Sequence, residues 1–316
     1  MTELSAPRPQ ISVVICTWNR SRLLRLTLEQ MTRLEVLPGM SWELIVVNNN
    51  CTDDTDVVLA DFRDRLPLVR LVEPVPGKSH AGNLAVREAK GEYIIWTDDD
   101  VLVDPSWLNA YVNAFAQWPH ATIFAGAIDP WFEGTPPRWL ESVFPKVSNA
   151  YAALDHGPTG FDLTHDTYPY GANMALRRSA HLQEPYDTRL GPRPNSGIRG
   201  EEMIMARRLL AAGATGRWVP EARVRHFIPP NRQTLSYLRE YFLGSGEALG
   251  LLGRNDPPGE RRAFGRPLWL WKEALLAEFS YRVGRLFRSP ENWIEAFREA
   301  NVARGRLKRY VSGRTI

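Results

Sequence analysis

One short stretch constrains the chain most: Gly91-Glu92-Tyr93-Ile94-Ile95-Trp96-Thr97, followed by Asp98-Asp99-Asp100. Five β-branched and aromatic residues in a row read as a strand buried on both faces, as in a parallel sheet. Three carboxylates at the end of such a strand repel one another unless a cation lies between them, and a divalent metal is the natural candidate. In open parallel sheets, ligands bind beyond the carboxyl ends of the strands. Strand, metal and anionic ligand is therefore one reading; a solvated acidic turn is the other.

The neighbouring segments place this strand in a repeating pattern. Ile11 to Cys16 is an apolar strand that breaks at Thr17-Trp18-Asn19-Arg20, after which Leu23, Leu24, Leu28 and Met31 recur at helical spacing. Ser21 is a candidate cap for that helix. Trp42 to Val47 is a second strand, running into Asn48-Asn49-Asn50-Cys51-Thr52-Asp53, with Thr52 or Asp53 placed to cap the next helix. Val69 to Val72 is a third, and a loop through Lys78 and His80 leads to a helix over Ala81 to Ala89. Three strand–helix units before Asp100, each strand ending in polar residues, define a doubly wound, mostly parallel α/β sheet with a shared cleft. A helix from Pro105 to about Trp118 and a strand over Thr122 to Ala127 continue it. From Asp129 to Tyr170 periodicity is lost among Pro, Gly, Trp and Tyr, and such long irregular segments are usually functional. Gly200-Glu201-Glu202 opens an amphipathic helix closed by Gly213, and Arg217 to Phe227 alternates as a strand. The rest is helical, with a Pro-Gly linker near Asp256 to Gly259.

Apolar residues make up 44% of the chain, which supports a packed core and excludes a disordered protein. Two cysteines, Cys16 and Cys51, build no disulfide framework and fit a reducing compartment. No apolar run approaches the roughly 18–20 residues that span a bilayer, and Met1 to Gln10 lacks the order of a signal peptide. The expectation is a cytoplasmic protein, at most peripheral at the inner face of a membrane. The net charge of +3 conceals an asymmetry: from Arg261 onward 13 Lys or Arg face 5 Asp or Glu, leaving the body mildly acidic. No recognised nucleic-acid module accompanies the basic tail, so nucleic acid is not an expected partner.

In order along about residues 10–230, the motifs resemble the inverting family-2 nucleotide-sugar glycosyltransferases of the GT-A fold. They are Ile11-Ser12-Val13-Val14 with Thr17 to Arg20, Val46 to Asn49 with Thr52-Asp53, Ala81-Gly82-Asn83, Ala89 to Tyr93, Asp98 to Asp100 with Pro105 and Trp107-Leu108, Gly171-Ala172-Asn173, and Gly200-Glu201-Glu202 with Arg208-Leu209 and Ala212-Gly213. The resemblance implies a Rossmann-like GT-A domain over 1–234, with a donor half at about 10–128 and an acceptor and base half at about 129–234. Residues 235–316 form a basic helical extension. It implies a nucleoside diphosphate sugar donor, a UDP-sugar favoured, and a carbohydrate or lipid-linked acceptor. Mn²⁺ or Mg²⁺ would stabilise the leaving diphosphate as a Lewis acid. Asp98 and Asp100 would serve the metal, with Asp99 as an alternative ligand and His226 as a metal or phosphate contact. Glu202 lies where the family has its base, with Glu201 before it, and takes the acceptor proton. The alternative for both is compensation of a helix dipole.

By the same resemblance Thr17, Asn19, Arg20, Asn48, Lys78, Asn83, Asp98 and Asp99 bind the donor, and Trp131 and Asn173 the acceptor. Phe132, Trp139 and Tyr151 are further aromatic candidates. Two positions depart from the family pattern: Asn48 replaces a common aspartate, and Gly82 a common arginine. A nucleotidyltransferase or a non-catalytic nucleotide-sugar binder is the alternative function. The C-terminal helices fit packing within the protein or on a second subunit, or contact with anionic lipid.

Overall fold

The computed structural model describes residues 10–253 and 259–311. Two compact units are resolved. The first comprises residues up to Trp131, Ala152–Thr188 and Glu201–Phe227; the second comprises Phe132–Tyr151, Arg189–Gly200 and the chain from Ile228 onward. The chain thus crosses between units several times, where the sequence suggests one passage near residue 234. The linker expected at Asp256 to Gly259 lies almost wholly outside the described residues.

The first unit is built on an eight-stranded sheet. Its strands are β1 (Ile11–Thr17), β2 (Trp42–Asn48), β3 (Leu68–Val72), β4 (Tyr93–Asp98), β5 (Val101–Val103), β6 (Ile123–Phe132), β7 (Asn173–Arg177) and β8 (Gly216–Ile228). Their order is β3-β2-β1-β4-β7-β6-β8-β5. The first four are parallel, and β7 then runs antiparallel to β4. Val13, Val14, Ile15, Leu44 to Val47, Ile94 and Ile95 are all inaccessible, as expected of strands covered on both faces. The helices are α1 (Ser21–Met31), α2 (Thr55–Phe62), α3 (Lys78–Glu88), α4 (Trp107–Gln117), α6 (Arg178–Gln183) and α7 (Glu201–Ala211), with α5 (Arg138–Val147) in the second unit. This is the doubly wound, mostly parallel sheet that the sequence specifies.

Local ends differ from expectation for identifiable reasons. Ser21 is the first residue of α1 and no cap; its amide is bonded instead by the Asp53 carboxylate at 2.9 Å, reaching over from the loop after β2. The α3 helix begins at Lys78, three residues early, and α7 begins at Glu201. The stretch from Asp129 to Tyr170 is less irregular than its composition suggests, since β6 continues to Phe132 and α5 tolerates Pro145.

The second unit is helical: α5, then α8 (Leu235–Leu252), α9 (Leu268–Phe287) and α10 (Pro290–Arg309), with a small hairpin of β9 (Arg262–Ala263) and β10 (Arg266–Pro267). Its own core gathers Leu140, Val143, Tyr151, Leu238, Phe242 and Phe297. Small residues set its closest approaches. A Cβ on Gly246 would fall 2.1 Å from the Val302 carbonyl, and one on Gly305 2.2 Å from the Leu243 carbonyl. Glycine there is a condition of the α8–α10 contact.

Candidate active site

Register assembles the site. In the parallel ladders Thr17 pairs with Asn48, and Cys16 with Asp98, so the polar ends of β1, β2 and β4 share one edge. The antiparallel β7 begins at that edge, where Thr97 pairs with Asn173 and the Thr97 hydroxyl donates to the Ala172 carbonyl at 3.0 Å. The adjoining β5 and β8 place His226 opposite Val101, next to Asp100.

The three aspartates separate into three roles. Asp99 is buried and points inward: its carboxylate accepts from the Thr17 hydroxyl at 2.7 Å and from Arg20 at 2.9 Å, while Thr27 holds its carbonyl at 3.0 Å. Burial raises the Asp99 pKa above the ordinary carboxylate value, and the Arg20 charge opposes that rise. Asp100 accepts from Arg20 at 3.1 Å and lies 3.3 Å from His226 Nε2. Asp98 faces the other way, 2.9 Å from the Lys78 ammonium. The expected metal pair of Asp98 and Asp100 is therefore divided; Asp100 is grouped with His226 and Asp98 with Lys78. Arg20 is held by two carboxylates, and their field raises its pKa far above the ordinary guanidinium value against the cost of burial.

Lys78 connects the aspartates to the acidic start of α7. A Cβ on Gly171 would lie 3.0 Å from Glu202 Oε1 and 3.5 Å from Lys78 Nζ, so the bare backbone of Gly171 admits both groups to one point. Burial opposes the Lys78 charge, but Asp98, Glu202 and Glu201 outweigh it and hold the ammonium well above its usual pKa. Glu201 moves the opposite way: burial, then the Glu202 charge, keep its carboxyl protonated well above the usual range. The Oε2 atom of Glu202 has no hydrogen-bond partner among the described residues.

Several expected contacts prove to be braces. Asn173 is inaccessible and uses its whole amide. Its Oδ1 accepts from Trp107 Nε1 and the Tyr111 hydroxyl, each at 2.8 Å, and its Nδ2 donates to the carbonyls of Ala127 and Ala222 at 2.9 and 2.7 Å. It ties α4, β6, β7 and β8 together and offers an acceptor nothing. Asn83 donates to and accepts from the Tyr186 backbone at 2.9 Å, which commits half of its amide to bracing that segment. Asn19 takes a left-handed conformation at φ 52° and accepts from the Thr52 amide at 2.7 Å, joining the loops after β1 and β2. Asn48 donates to Asp56 and accepts from the Cys51 amide, so half its amide is committed to its own loop. Trp131 packs edge to face on Phe227 at 5.0 Å and stays partly exposed, while Phe132 and Tyr151 join the core of the second unit. Cys16 is a packed thiol pushed up to about 12 by burial.

Other groups escaped the sequence. Asn49 is buried, donates to the carbonyls of Glu73 and Val75, and accepts from the Gly77 amide, fixing the approach to Lys78. Tyr186 explains the departure at position 82: a Cβ on Gly82 would sit 2.8 Å from the Tyr186 ring. That ring occupies the space a longer side chain would need, and the Glu202 and Glu201 charges bear on its hydroxyl after burial itself. No local pattern around Tyr186 signals this, because its neighbours come from β4 and α3.

Comparison with known proteins agrees with this frame. The family model described as glycosyl transferase family 2 matches residues 12–183, more than half of the chain. The chain belongs to that family and is a glycosyltransferase using a nucleoside diphosphate sugar donor. It is 26% identical over 258 residues to the succinoglycan biosynthesis protein ExoM of Rhizobium meliloti, covering 80% of this chain and 78% of that one. It is 23% identical over 268 residues to a glucosyl-dolichyl phosphate glucuronosyltransferase of Haloferax volcanii, covering 83% of each. Among solved structures it resembles a Pyrobaculum calidifontis mannosyltransferase determined with GDP-Man and Mn²⁺, at TM-score 0.60 and 19% identity over 96% of this chain and 87% of that one.

Proposed function

We propose that the chain performs an inverting transfer in which Glu202 is the base and Asp100 with His226 binds a divalent metal. The observation that carries the base assignment is the placement of Glu202 at the bare backbone of Gly171 beside Lys78; its Oε2, like that of Glu201, has no hydrogen-bond partner among the described residues. The acceptor hydroxyl gives its proton to Glu202 as its oxygen bonds to the anomeric carbon. The bond from that carbon to the diphosphate breaks on the opposite face, and the diphosphate leaves with the electron pair. Lys78, which reaches the same point at Gly171, sets a positive charge beside Glu202, which suits a base.

The donor set at Asp100 and His226 fits Mn²⁺ or Mg²⁺. Such ions are bound by one or two protein groups and otherwise by substrate phosphates and water. When bound there, the ion supplies positive charge to the leaving diphosphate. The composition of the edge supports it: the carboxyl groups of Asp98, Asp99, Asp100, Glu201 and Glu202 outnumber the cationic groups of Arg20 and Lys78 before any diphosphate arrives. Thr17, Asn19 and the free half of the Asn48 amide border the edge where the nucleotide lies, and a UDP-sugar is the favoured donor. The names of the two long-matching relatives support a glycan or lipid-linked acceptor, with Trp131 the exposed aromatic for stacking on it.

The test is a thermal-shift panel of UDP-, GDP-, CDP- and dTDP-sugars with Mn²⁺, followed by transfer assays. Glu202→Gln is expected to lose about 10²–10⁴-fold in turnover while keeping the nucleotide-dependent shift. Turnover at the unmodified level in that variant overturns the base assignment, and a shift unaffected by chelator overturns the metal site.

A further inference from the structure

We propose that the outer face of α9 docks on an anionic lipid surface. The face opposite, Leu270, Ala274, Ala277, Tyr281 and Gly284, is buried against the second unit, with Gly284 close enough to Trp293 that a Cβ would lie 2.9 Å from that side chain's own. A helix with one face buried ordinarily turns polar residues outward. Here the outward rows are Leu275, Phe279 and Leu286, and beside them Leu276, Val283 and Phe287. Phe279 is 68% exposed, Leu286 75% and Phe287 80%, and Phe264 in the β9–β10 hairpin 93%. Contiguous apolar surface of this size on a soluble chain marks an interaction site.

Charge selects the occupant. Lys272 lies between these rows, three and four residues before Leu275 and Leu276, and is exposed; Arg282, exposed beside Phe279, shares Glu278 with Arg304, Arg285 turns back to the Tyr281 hydroxyl, and exposed Arg288 follows at the end of the helix. The two acidic residues of the helix are satisfied inside the unit: Glu273 pairs with Arg306 at 3.0 Å, and Glu278 with Arg304 at 2.7 Å and Arg282 at 2.6 Å. What remains is an apolar stripe with basic groups and no uncommitted carboxylate on the helix. A second copy of the chain meets this face poorly. A two-fold antiparallel pairing centred on Phe279 sets the Lys272 ammonium against the apolar Leu286, and a parallel one brings Lys272 against itself. Lipid accommodates both features, since the apolar rows enter the acyl boundary while long basic side chains reach up to phosphate. No described helix is long and apolar enough to cross a membrane, and α9 carries charges along its length, so it lies on the surface.

The experiment is sedimentation of the full chain with vesicles of neutral phosphatidylcholine alone, or with about one-third phosphatidylglycerol, at two salt concentrations. Binding is expected to the anionic vesicles and to weaken with salt, as juxtamembrane basic charge requires. Phe279→Glu with Leu286→Glu is expected to reduce partitioning more than tenfold, and Lys272→Gln about fivefold. Sugar-nucleotide thermal shift serves as the folding control, and the outward position of these side chains keeps it intact. Absence of binding to anionic vesicles overturns the proposal, as does binding that the double variant retains. Sedimentation equilibrium supplies the remaining outcome: a dimer that the double variant dissociates assigns the face to a second copy and overturns the lipid reading. Docking and catalysis are read separately, so failure of one leaves the other standing.

Discussion

The two units treat their misfit groups in opposite ways. The first takes polar groups inside and meets them: Asn49, Asp99 and Asn173 are all buried and bonded across at least two elements. The second leaves apolar groups outside, along α9 and at Phe264. Buried polar groups fix a geometry because each has few alternatives, whereas exposed apolar groups fix nothing within the chain and act on what lies beyond it. A site that must hold carboxylates and cations within hydrogen-bond distance belongs with the first kind of construction. A surface that accepts a fluid partner belongs with the second.

Breaking the comparison begins with Asn173. Asn173→Ala leaves the Trp107 Nε1–H, the Tyr111 hydroxyl and two carbonyls unpaired in the interior. At about 1–3 kcal/mol for each group stranded, tempered by partial relaxation, the expected loss is roughly 3–5 kcal/mol in urea unfolding. A change below 1 kcal/mol would mean that the amide is not what joins α4 to β6, β7 and β8.

His181 sharpens the same contrast, as an exception inside the first unit. It is wholly buried between Trp96 and Tyr186, with neither ring nitrogen bonded among the described residues, and burial pushes its pKa down to about 3. The unfolded chain binds that proton near pH 6.5, so the neutral ring's contribution is present above pH 6.5 and is lost as pH falls toward 3. This one group is expected to cost about 2 kcal/mol of stability between pH 7 and pH 5. Unfolding curves at those two pH values check it, and His181→Leu is expected to flatten the difference. An unchanged pH dependence in that variant would assign the slope elsewhere.

The smallest effect is expected on α9. Leu275→Ala and Leu286→Ala each remove an apolar side chain already in water, so stability is expected to stay within about 0.5 kcal/mol of the unmodified chain. A loss of the 2–5 kcal/mol typical of a buried leucine would show that this face packs inside an assembly.

Much of the first unit is legible in the order of its residues. The parallel strands announce themselves as apolar runs with polar ends, and the ordered motifs from Ile11 to Gly213 identify the family that the comparison found. The separate fates of Asp98, Asp99 and Asp100 are not legible, because β4 ends at Asp98 and the chain turns at Asp99 and Asp100, so alternation no longer applies and only Thr17, Arg20, Lys78 and His226 reveal which side holds what. Asn173 and Asn83 mislead for a related reason. An asparagine in a family-like motif looks the same whether it faces a ligand or a neighbouring carbonyl, and its partners lie 46 to 103 residues away.

The tail shows the same division. Composition alone establishes that it is basic, helical and striped with Trp, Leu and Phe. Which stripe turns inward was decided by tertiary packing, since α9 carries apolar residues on opposite faces and only α10, through Trp293 and its close approach at Gly284, selects one of them. Periodicity records that a side chain is apolar every third or fourth residue. Contact with another element determines whether that side chain is removed from water.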